Sequence, residues 1–478
     1  MENSIGEPIR AVQSIKFGTD GWRAIIAKEF TVANVERVAE ATAKWLQQQN
    51  KPSVVVGHDC RFAGELFAET VTKILCSYGV KVYLAKGFVS TPMISLGTVK
   101  MKSNLGIIIT ASHNPPVYNG FKLKGHYGGP LLPENVDEIE KLIPDVAAID
   151  TSSLGLHDFL KSGLLEYIDL ESMYCKQVEE NFDLDAIRNS GMNFAYDAMY
   201  GAGQNVMRRL LPDITTLHCD YNPGFEGVPP EPILKNLGEF SEMIKLSGDI
   251  DCGLVTDGDA DRLGMFDNKG NFIDSHHIIL LLIHYLYKYK GQKGKVCTAF
   301  SSSQKINTLC EIYGLPLDIV KIGFKYICGI MITEDVLVGG EESGGIAIRG
   351  HIPERDGIWM GMVIWEFMAK SGKSLQELIQ EVYALTGPFA FERSDLQIEE
   401  SLKQQIIENC EKNVYQSFGE FKVAKLDTLD GYKYYFENGD WLMIRPSGTE
   451  PVLRTYAESS DRKSALHILE TARKVLLD

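Results

Sequence analysis

The sequence contains no C-x-x-C pair, and its nine cysteines are scattered along the chain. An odd number of dispersed cysteines in so long a chain is typical of reduced, buried thiols in a cytosolic protein. Long apolar runs are also absent, since the longest, residues 278–283, is far too short to span a bilayer. Residues 1–13 lack the apolar core of a signal peptide, and no segment is of low complexity. We therefore expect a cytoplasmic protein with no membrane partner.

Positive charge is in short supply. The 48 lysines and arginines face 64 aspartates and glutamates, which gives a formal net charge of −16. This balance argues against nucleic acid as a partner, and an anionic substrate would need a local cluster of Lys and Arg. A hydrophobic content of 44% and a charged content of 23% are those of a globular protein. At 478 residues the chain is long enough for three or four domains.

Several familiar motifs are incomplete. The Gly372-Lys373-Ser374 stretch has Phe367 where a Walker A motif needs glycine. The dinucleotide-binding pattern fails in the same way, because Val206 stands at its last glycine position. No Gly-x-Ser-x-Gly elbow is present, so a hydrolase triad is not expected.

What is present is a regular alternation of strand and helix signals. The first part carries strand signals at residues 53–56, 80–84 and 105–110, with helical spacing at residues 34–48, 66–78 and 92–100. Such alternation predicts a parallel sheet with right-handed crossovers. The alternation of strand and helix signals continues to about residue 387 and includes a long helix predicted over residues 275–289. Strand signals at residues 432–436 and 441–444 then flank Asn438-Gly439 and predict a hairpin.

These patterns predict an α/β protein of four domains. A loop- and proline-rich stretch, residues 130–155, is the candidate first boundary, and Thr386-Gly387-Pro388 marks the last. We expect three similar mixed α/β domains over residues 1–155, 156–271 and 272–387, and a smaller α+β domain over residues 388–478.

The first candidate site is the turn at residues 110–116, which follows an apolar strand signal. Ser112 lies at its centre, and Asn114-Pro115 forces a turn. A serine at the rim of an α/β sheet is well placed to meet a ligand. Taken alone, however, such a stretch is more often a structural loop.

The second candidate is an acidic loop that follows the strand signal at residues 252–256. Asp257, Asp259 and Asp261 project to one side if the backbone is extended, and three hard oxygen ligands suit Mg²⁺. A calcium EF-hand is excluded because Arg262 and Asn268 occupy its glycine and glutamate positions. A solvated acidic turn is the alternative, but three uncompensated carboxylates repel one another.

Five further stretches carry polar groups next to glycines. Glu341 and Ser343, in the glycine-rich residues 339–345, can bind sugar hydroxyls, although a purely structural glycine-rich turn fits this stretch equally well. The stretch at residues 445–451 combines an arginine with hydroxyls and backbone N–H groups, as in a phosphate cradle, and an arginine-capped turn is the alternative. Arg23 follows a glycine-rich turn near the N-terminus. Elsewhere in the chain, Lys122 and Lys325 each follow a Gly-Phe pair. Taken alone, the two lysines would be solvated surface groups. Jointly, the serine, the metal loop, the hydroxyl-binding loop and the phosphate cradle indicate phosphoryl transfer on a sugar.

These motifs resemble, in order along the chain, those of the α-D-phosphohexomutase family, which includes phosphoglucomutases and phosphomannomutases. The resemblance covers almost the whole chain. It implies four domains around a central cleft, the first three of similar topology. It also implies that phospho-Ser112 donates its phosphoryl group to a sugar phosphate and that glucose 1,6-bisphosphate is the intermediate and activator. The bisphosphate then turns over in the cleft and returns its other phosphate to Ser112.

The resemblance also implies individual roles. Asp257, Asp259 and Asp261 would hold Mg²⁺ together with Ser112, and Lys122 would act as general acid and base. Arg23, Arg262 and His113 would lie near the phosphoryl group. Sugar contacts would come from Gly323, Lys325, Glu341 and Ser343. The non-reacting phosphate would be bound by Arg445, Ser447, Gly448, Thr449 and Arg454.

One position departs from the family pattern. Members of mixed glucose and mannose preference often carry His directly after Ser-Gly, whereas this chain has Gly345. The second proton carrier is therefore expected at His351, with Arg355 as a fixed charge, because arginine stays protonated. The leading hypothesis is a phosphoglucomutase. A phosphomannomutase, a dual-specificity enzyme, a non-catalytic sugar-phosphate-binding protein and a sugar phosphatase are the alternatives, and the chain could be a monomer or a dimer.

Overall fold

The computed structural model describes residues 14–446 and 452–477. It contains four sheets with helices, and the chain divides into two compact units. Residues 1–272 and 350–362 form the first unit, and residues 273–349 and 363–478 form the second. Of the helices in the described ranges, none is long and apolar enough to cross a membrane.

The first sheet has six strands in the order β1-β5-β4-β2-β3-β6. Its strands are β1 Trp22–Ile25, β2 Ser53–His58, β3 Lys81–Ala85, β4 Leu105–Ile109, β5 Tyr118–Gly125 and β6 Leu165–Ile168. Its helices are α1 Val32–Leu46, α2 Gly64–Ser77, α3 Thr91–Lys100, α4 Pro133–Lys141 and α5 Leu156–Lys161. All five residues of β4 are buried, as expected for a strand covered on both faces. The serine turn follows the carboxyl end of β4.

Two features of this sheet differ from the sequence-based expectation. The sheet is mixed, because β1 and β5 run antiparallel to their neighbours, whereas a parallel sheet was expected. The stretch at residues 130–155 is not merely loop, since it contains α4. The edge strand β6 pairs in parallel with β3.

The second sheet has the order β11-β10-β9-β7-β8. Its strands are β7 Phe194–Asp197, β8 Thr215–Leu217, β9 Cys252–Thr256, β10 Leu263–Asp267 and β11 Phe272–Ile273. The helices of this region are α6 Leu170–Asn181, α7 Leu184–Arg188, α8 Gln204–Leu210 and α9 Gly238–Ser247. Strands β9 and β10 are antiparallel neighbours, and the acidic loop connects them.

The third sheet has the order β13-β12-β14-β15. Its strands are β12 Lys295–Ala299, β13 Leu317–Val320, β14 Val336–Gly340 and β15 Ile346–Ile348. The helices are α10 Ser275–His284, α11 Gln304–Tyr313, α12 Phe324–Met331, α13 Gly357–Ser371 and α14 Leu375–Thr386. The helix predicted over residues 275–289 is α-helical only to His284 and finishes as a π-helical turn, Tyr285–Tyr289.

The fourth sheet is antiparallel, with the order β16-β21-β20-β19-β18-β17. Its strands are β16 Ala390–Gln397, β17 Ser417–Phe418, β18 Phe421–Asp427, β19 Tyr432–Phe436, β20 Trp441–Pro446 and β21 Val452–Ser459. Its helices are α15 Glu400–Glu411 and α16 Arg462–Leu477. The predicted hairpin is β19–β20. Three α/β sheets and a different C-terminal fold confirm the predicted class. Single 3₁₀ turns lie at Thr151–Ser153, Phe225–Gly227 and Leu234–Asn236.

Candidate active site

The serine turn connects β4 to β5 in the first unit. Ser112 is buried and has a left-handed backbone with φ of 51°. That conformation costs a non-glycine residue about 1–2 kcal/mol, so surrounding contacts must hold it. The Ser112 N–H donates to Thr110 Oγ1 at 2.9 Å. Its hydroxyl donates to Asp257 Oδ2 at 2.7 Å and lies 3.3 Å from His113 Nδ1.

Arg61 binds the backbone of this turn. It was not singled out as a site residue from the sequence. The guanidinium donates to four backbone carbonyls at 2.6–3.0 Å, those of Ser112, Asn114, Pro115 and Tyr118. Asp59 pairs with it at 3.5 Å and also accepts a hydrogen bond from Thr110. The available signal was a pair of charged residues directly after strand β2, which neighbours β4 in the sheet.

The three aspartates of the acidic loop are fully buried and converge. One carboxylate oxygen from each aspartate lies within 4.8 Å of one oxygen from each of the other two. Convergence comes from a tight turn rather than from extended backbone, since Ala260 has φ of 56° and its N–H donates to the Asp257 carbonyl at 3.0 Å. Within the described ranges, Asp259 Oδ1 and Asp261 Oδ1 are buried with no hydrogen-bond partner. Buried carboxylate oxygens this close together fit a hard divalent cation.

Cations surround these carboxylates. Lys122, on β5, is completely buried, and its Nζ donates to Asp259 at 2.7 Å and to Asp261 at 3.2 Å. Arg355 pairs with Asp261 at 2.8 Å. Both cations also pair with Asp20, which the sequence did not single out. Lys122 is therefore a buried, ion-paired residue and not a solvated surface group.

Two predicted arginines lie at the edge of this cluster. Arg23 donates to the side chain of Asn114, in the serine turn, at 2.6 Å. Arg262 lies 3.9 Å from Asp261. The structure therefore brings together Ser112, His113, Lys122, Arg23, Arg262, Arg355 and the three aspartates in the first unit.

The protonation states follow from burial and charge. Burial, with the neighbouring Asp259 and Asp261, raises the pKa of Asp257 well above its usual value. Burial acts in the same direction on Asp259, but Lys122 outweighs it and lowers the pKa of Asp259. Burial, then Arg262 and Arg23, lower the pKa of His113, which is therefore neutral at pH 7.

His351 does not join this cluster. Its ring stacks on Trp359 with centroids 3.7 Å apart, and Nε2 lies 2.9 Å from Asp356. Asp356 also accepts a hydrogen bond from Tyr174 at 2.8 Å. Within the described residues no hydrogen bond or ion pair joins His351 to the serine turn or the acidic loop, whereas Arg355 reaches Asp261 directly.

The predicted sugar-binding residues lie in the second unit, at the carboxyl ends of β13 and β14. Glu341 is buried, and its Oε1 accepts from the Gly323 N–H at 2.8 Å. Gly323 has φ of 130°, a conformation that favours glycine. Ser343 is half-buried in the turn after Glu341. Lys325 is half-buried in the first turn of α12, with its Nζ 5.6 Å from the Tyr326 ring centre.

The predicted phosphate-binding arginines lie on β20 and β21. Arg445 and Arg454 are directly opposite each other in the antiparallel register. Like charges in such a pair destabilise a sheet. Asp430, 3.4 Å from Arg445, and Asp395, 4.0 Å from Arg454, offset part of this repulsion. The other predicted members, Ser447, Gly448 and Thr449, lie outside the described residues.

Comparison with known families agrees with the four-part architecture. Residues 14–149, 172–270 and 274–385 match the models of phosphoglucomutase/phosphomannomutase alpha/beta/alpha domains I, II and III. Residues 397–475 match the C-terminal domain of the same family.

Individual relatives cover nearly the whole chain. A Thermococcus kodakarensis phosphoglucomutase/phosphomannomutase is 30% identical over 466 residues, which is 96% of this chain and 98% of the relative. A Sulfurisphaera tokodaii phosphoglucosamine/phosphogalactosamine mutase is 30% identical, with 96% and 98% covered. A crystal structure of a Thermus thermophilus protein described as a phosphomannomutase has a TM-score of 0.86 and 33% identity, with 98% of this chain and 100% of that chain covered.

Proposed function

This chain belongs to the phosphoglucomutase/phosphomannomutase family of phosphohexomutases, and we propose that it interconverts glucose 1-phosphate and glucose 6-phosphate through phospho-Ser112. It is an intramolecular phosphotransferase. The observation that carries the proposal is the 2.7 Å hydrogen bond from Ser112 Oγ to Asp257, at a site where two further carboxylates converge. We expect a serine hydroxyl that is hydrogen-bonded in this way, beside a metal site, to carry the phosphoryl group.

We assign the divalent cation to Asp257, Asp259 and Asp261, together with an oxygen of phosphorylated Ser112. The two unpartnered carboxylate oxygens support this assignment. When bound, Mg²⁺ offsets negative charge on the transferring phosphoryl group.

The residues of the chain carry the transfer itself. A hexose hydroxyl attacks the phosphoryl group of phospho-Ser112, so the new P–O bond to the sugar forms as the bond to Ser112 Oγ breaks. Burial alone would lower the pKa of Lys122, but the carboxylates around it outweigh burial and raise that pKa. Lys122 is therefore cationic, and we assign to its ammonium the proton that Ser112 Oγ takes up as that oxygen leaves. The proton lost by the attacking hydroxyl replaces the one that Lys122 gives to Ser112 Oγ, so no net proton is gained or lost. Arg23, Arg262 and Arg355 remain charged and stabilise the phosphoryl oxygens.

Recognition of the sugar phosphate uses the second unit. Glu341 and Ser343 bind hydroxyls, with Gly323 and Lys325 beside them, and Arg445 and Arg454 bind the phosphate that does not react. After the first transfer the bisphosphate reorients, and its other phosphate returns to Ser112. The ion pair between Arg355 and Asp261 supports the role of Arg355 as a fixed charge, whereas among the described residues no contact of His351 supports it as the second proton carrier.

Substitution of Ser112 tests the phosphoryl-carrier role. With trace glucose 1,6-bisphosphate present, we expect Ser112→Ala to lose mutase activity by at least about a thousandfold, because a covalent step is removed. Ser77→Ala, which removes an exposed hydroxyl near the end of α2, should retain wild-type activity. Intact-mass analysis of purified wild type should find a phosphate adduct on the Ser112 peptide. Near-full turnover by Ser112→Ala would contradict the proposal.

A second candidate substrate is an amino sugar phosphate, because one of the relatives at 30% identity is a phosphoglucosamine/phosphogalactosamine mutase. Mannose phosphates are a third, from the Thermococcus and Thermus relatives. Measurement of kcat/KM for glucose, mannose and glucosamine phosphates decides among them, since specificity is a ratio of these constants. A higher kcat/KM for glucosamine 6-phosphate than for glucose 6-phosphate would replace the glucose assignment.

A further inference from the structure

Asp430 lies in the turn before strand β19, beside the predicted phosphate-binding arginine. The next residue, Gly431, has φ of 102°, and a Cβ there would lie 2.8 Å from the Ile444 carbonyl oxygen. Only glycine fits this close approach. The turn is therefore fixed against β20, where Arg445 follows Ile444.

One oxygen of Asp430 makes two contacts. The Ile322 N–H donates to Asp430 Oδ2 at 2.8 Å, and Arg445 Nη2 lies 3.4 Å from the same oxygen. The two partners come from different sheets, since Ile322 follows strand β13 and Arg445 is on β20. Asp430 is thus a bridge between the third and fourth sheets.

The bridge continues to the predicted sugar-binding loop. The residue after Ile322 is Gly323, whose N–H donates to Glu341 Oε1 at 2.8 Å. A path of three polar contacts and one peptide unit therefore joins Arg445 to Glu341. Each contact is within hydrogen-bond or ion-pair range, and Glu341 is buried.

We propose that Asp430 is a positioning residue that sets Arg445 and Glu341 in register, so that one substrate molecule is bound at its phosphate and at its hydroxyls together. This inference rests on the proposed function, because it takes Arg445 and Glu341 as substrate contacts. Asp430 acts through these two residues and through the turn at Ile322 and Gly323. Loss of Asp430 then weakens substrate binding without removing any group that takes part in phosphoryl transfer.

A separate contact keeps the two sheets together when Asp430 is changed. Lys433, on β19, donates to the carbonyls of Phe300 and Ser302 at 3.1 Å each. Its ammonium also lies 3.8 Å from the Trp441 ring centre. Substitution at Asp430 leaves these contacts in place, so the variants are expected to fold.

The test is a double-mutant cycle on KM. In Asp430→Ala we expect KM for glucose 1-phosphate to rise about tenfold with kcat within about twofold of wild type, since a charged hydrogen-bond acceptor is lost. Asp430→Asn can still accept from Ile322 but carries no charge, so its KM should rise less, by about threefold. In the Arg445→Ala background the further rise from Asp430→Ala should be under about twofold, because the two residues act as a unit.

The control and the contrary outcomes are distinct. Asp440→Asn, at the other end of the β19–β20 hairpin, removes a carboxylate charge and should leave KM unchanged. Fully multiplicative effects of Asp430→Ala and Arg445→Ala would overturn the inference, as would a fall in the thermal midpoint with KM unaltered. If Asp430→Ala fails to fold, the cycle of Asp430→Asn with Arg445→Ala decides by the same criterion. Absence of mutase activity in the wild type would instead reject the proposed function itself.

Discussion

Ser112 Oγ donates a 2.7 Å hydrogen bond to Asp257 Oδ2, across 145 positions of the sequence. The two residues follow the carboxyl ends of β4 and β9, in the first and second sheets. Their backbones also approach closely, because a Cβ at Gly258 would lie 2.6 Å from the Ser112 carbonyl oxygen. The position of the serine hydroxyl relative to the aspartates therefore depends on a glycine in the acidic loop.

Gly258→Ala should separate the serine turn from the acidic loop. An added Cβ at 2.6 Å from a backbone oxygen forces one loop to move, and displacements near 1 Å can cost about a hundredfold in rate. We expect kcat/KM to fall by about 10–100-fold in steady-state assays. Gly155→Ala is the matched control, since its backbone has φ of −101° and its Cβ would meet open space. Equal activity of the two variants would show that the approach is not needed.

Arg61 supplies a second support for Ser112. Arg61→Lys keeps the charge, but a single ammonium cannot reach four carbonyls that the guanidinium binds from two nitrogens. We expect kcat to fall by about 10–100-fold with little change in KM. The strained serine turn loses hydrogen bonds that hold its backbone, whereas the residues proposed to bind substrate are unchanged. Arg473→Lys, at an exposed position of α16, should behave as wild type. A large rise in KM with unchanged kcat would place the role of Arg61 elsewhere.

The sequence was informative where chemistry follows directly from a buried strand. The serine turn after β4 and the acidic loop after β9 were identified because an apolar run ended in a short polar motif. Arg61 and Asp430 escaped notice because their roles consist of contacts with segments far away in the chain. Neither residue belongs to a recognisable local motif, and each meets its partners only in the folded chain.

Strand β5 was missed for a related reason. Its sequence contains two glycines and two lysines, so it lacks the apolar pattern of a buried strand, yet most of it is buried. Lys122 and Lys124 are buried because Asp20, Asp259 and Glu354 compensate their charges. Sequence periodicity cannot detect a strand whose burial depends on carboxylates contributed by other segments. The three predicted domain boundaries and the roles of the site residues stay predictions.

Binding of a divalent cation should be measurable without catalysis. A ligand that binds only the folded chain raises its stability, so saturating Mg²⁺ should raise the thermal midpoint of wild type by about 2–6 °C. In Asp261→Asn the rise should disappear, because one of the three converging carboxylates is lost. Asp213→Asn, which changes an exposed carboxylate, should retain it. An undiminished rise in Asp261→Asn would mean that the cation binds elsewhere.

Lys433 should make the stability of the chain depend on pH in the alkaline range. Burial lowers the pKa of this lysine to about 8, against the opposing effect of Glu458. In the unfolded chain its pKa returns to about 10.5, so between these values the unfolded state holds the proton that the folded state has lost. The free energy of unfolding therefore rises with pH from about 8 to 10.5, by about 3 kcal/mol in total from this residue.

Comparison with Lys433→Met isolates that contribution. Methionine has a similar length and no charge, so the difference in thermal midpoint between wild type and Lys433→Met should shift in favour of wild type as pH rises from about 8 to 10.5. Below pH 8 the difference should be constant, because the lysine is then protonated in both states. Lys463→Met, which replaces an exposed lysine, corrects for general effects of removing a charge. A difference that is constant over the whole range would show that Lys433 keeps its ordinary pKa despite its burial beside Trp441. A shift in favour of the variant would show that folding raises this pKa instead.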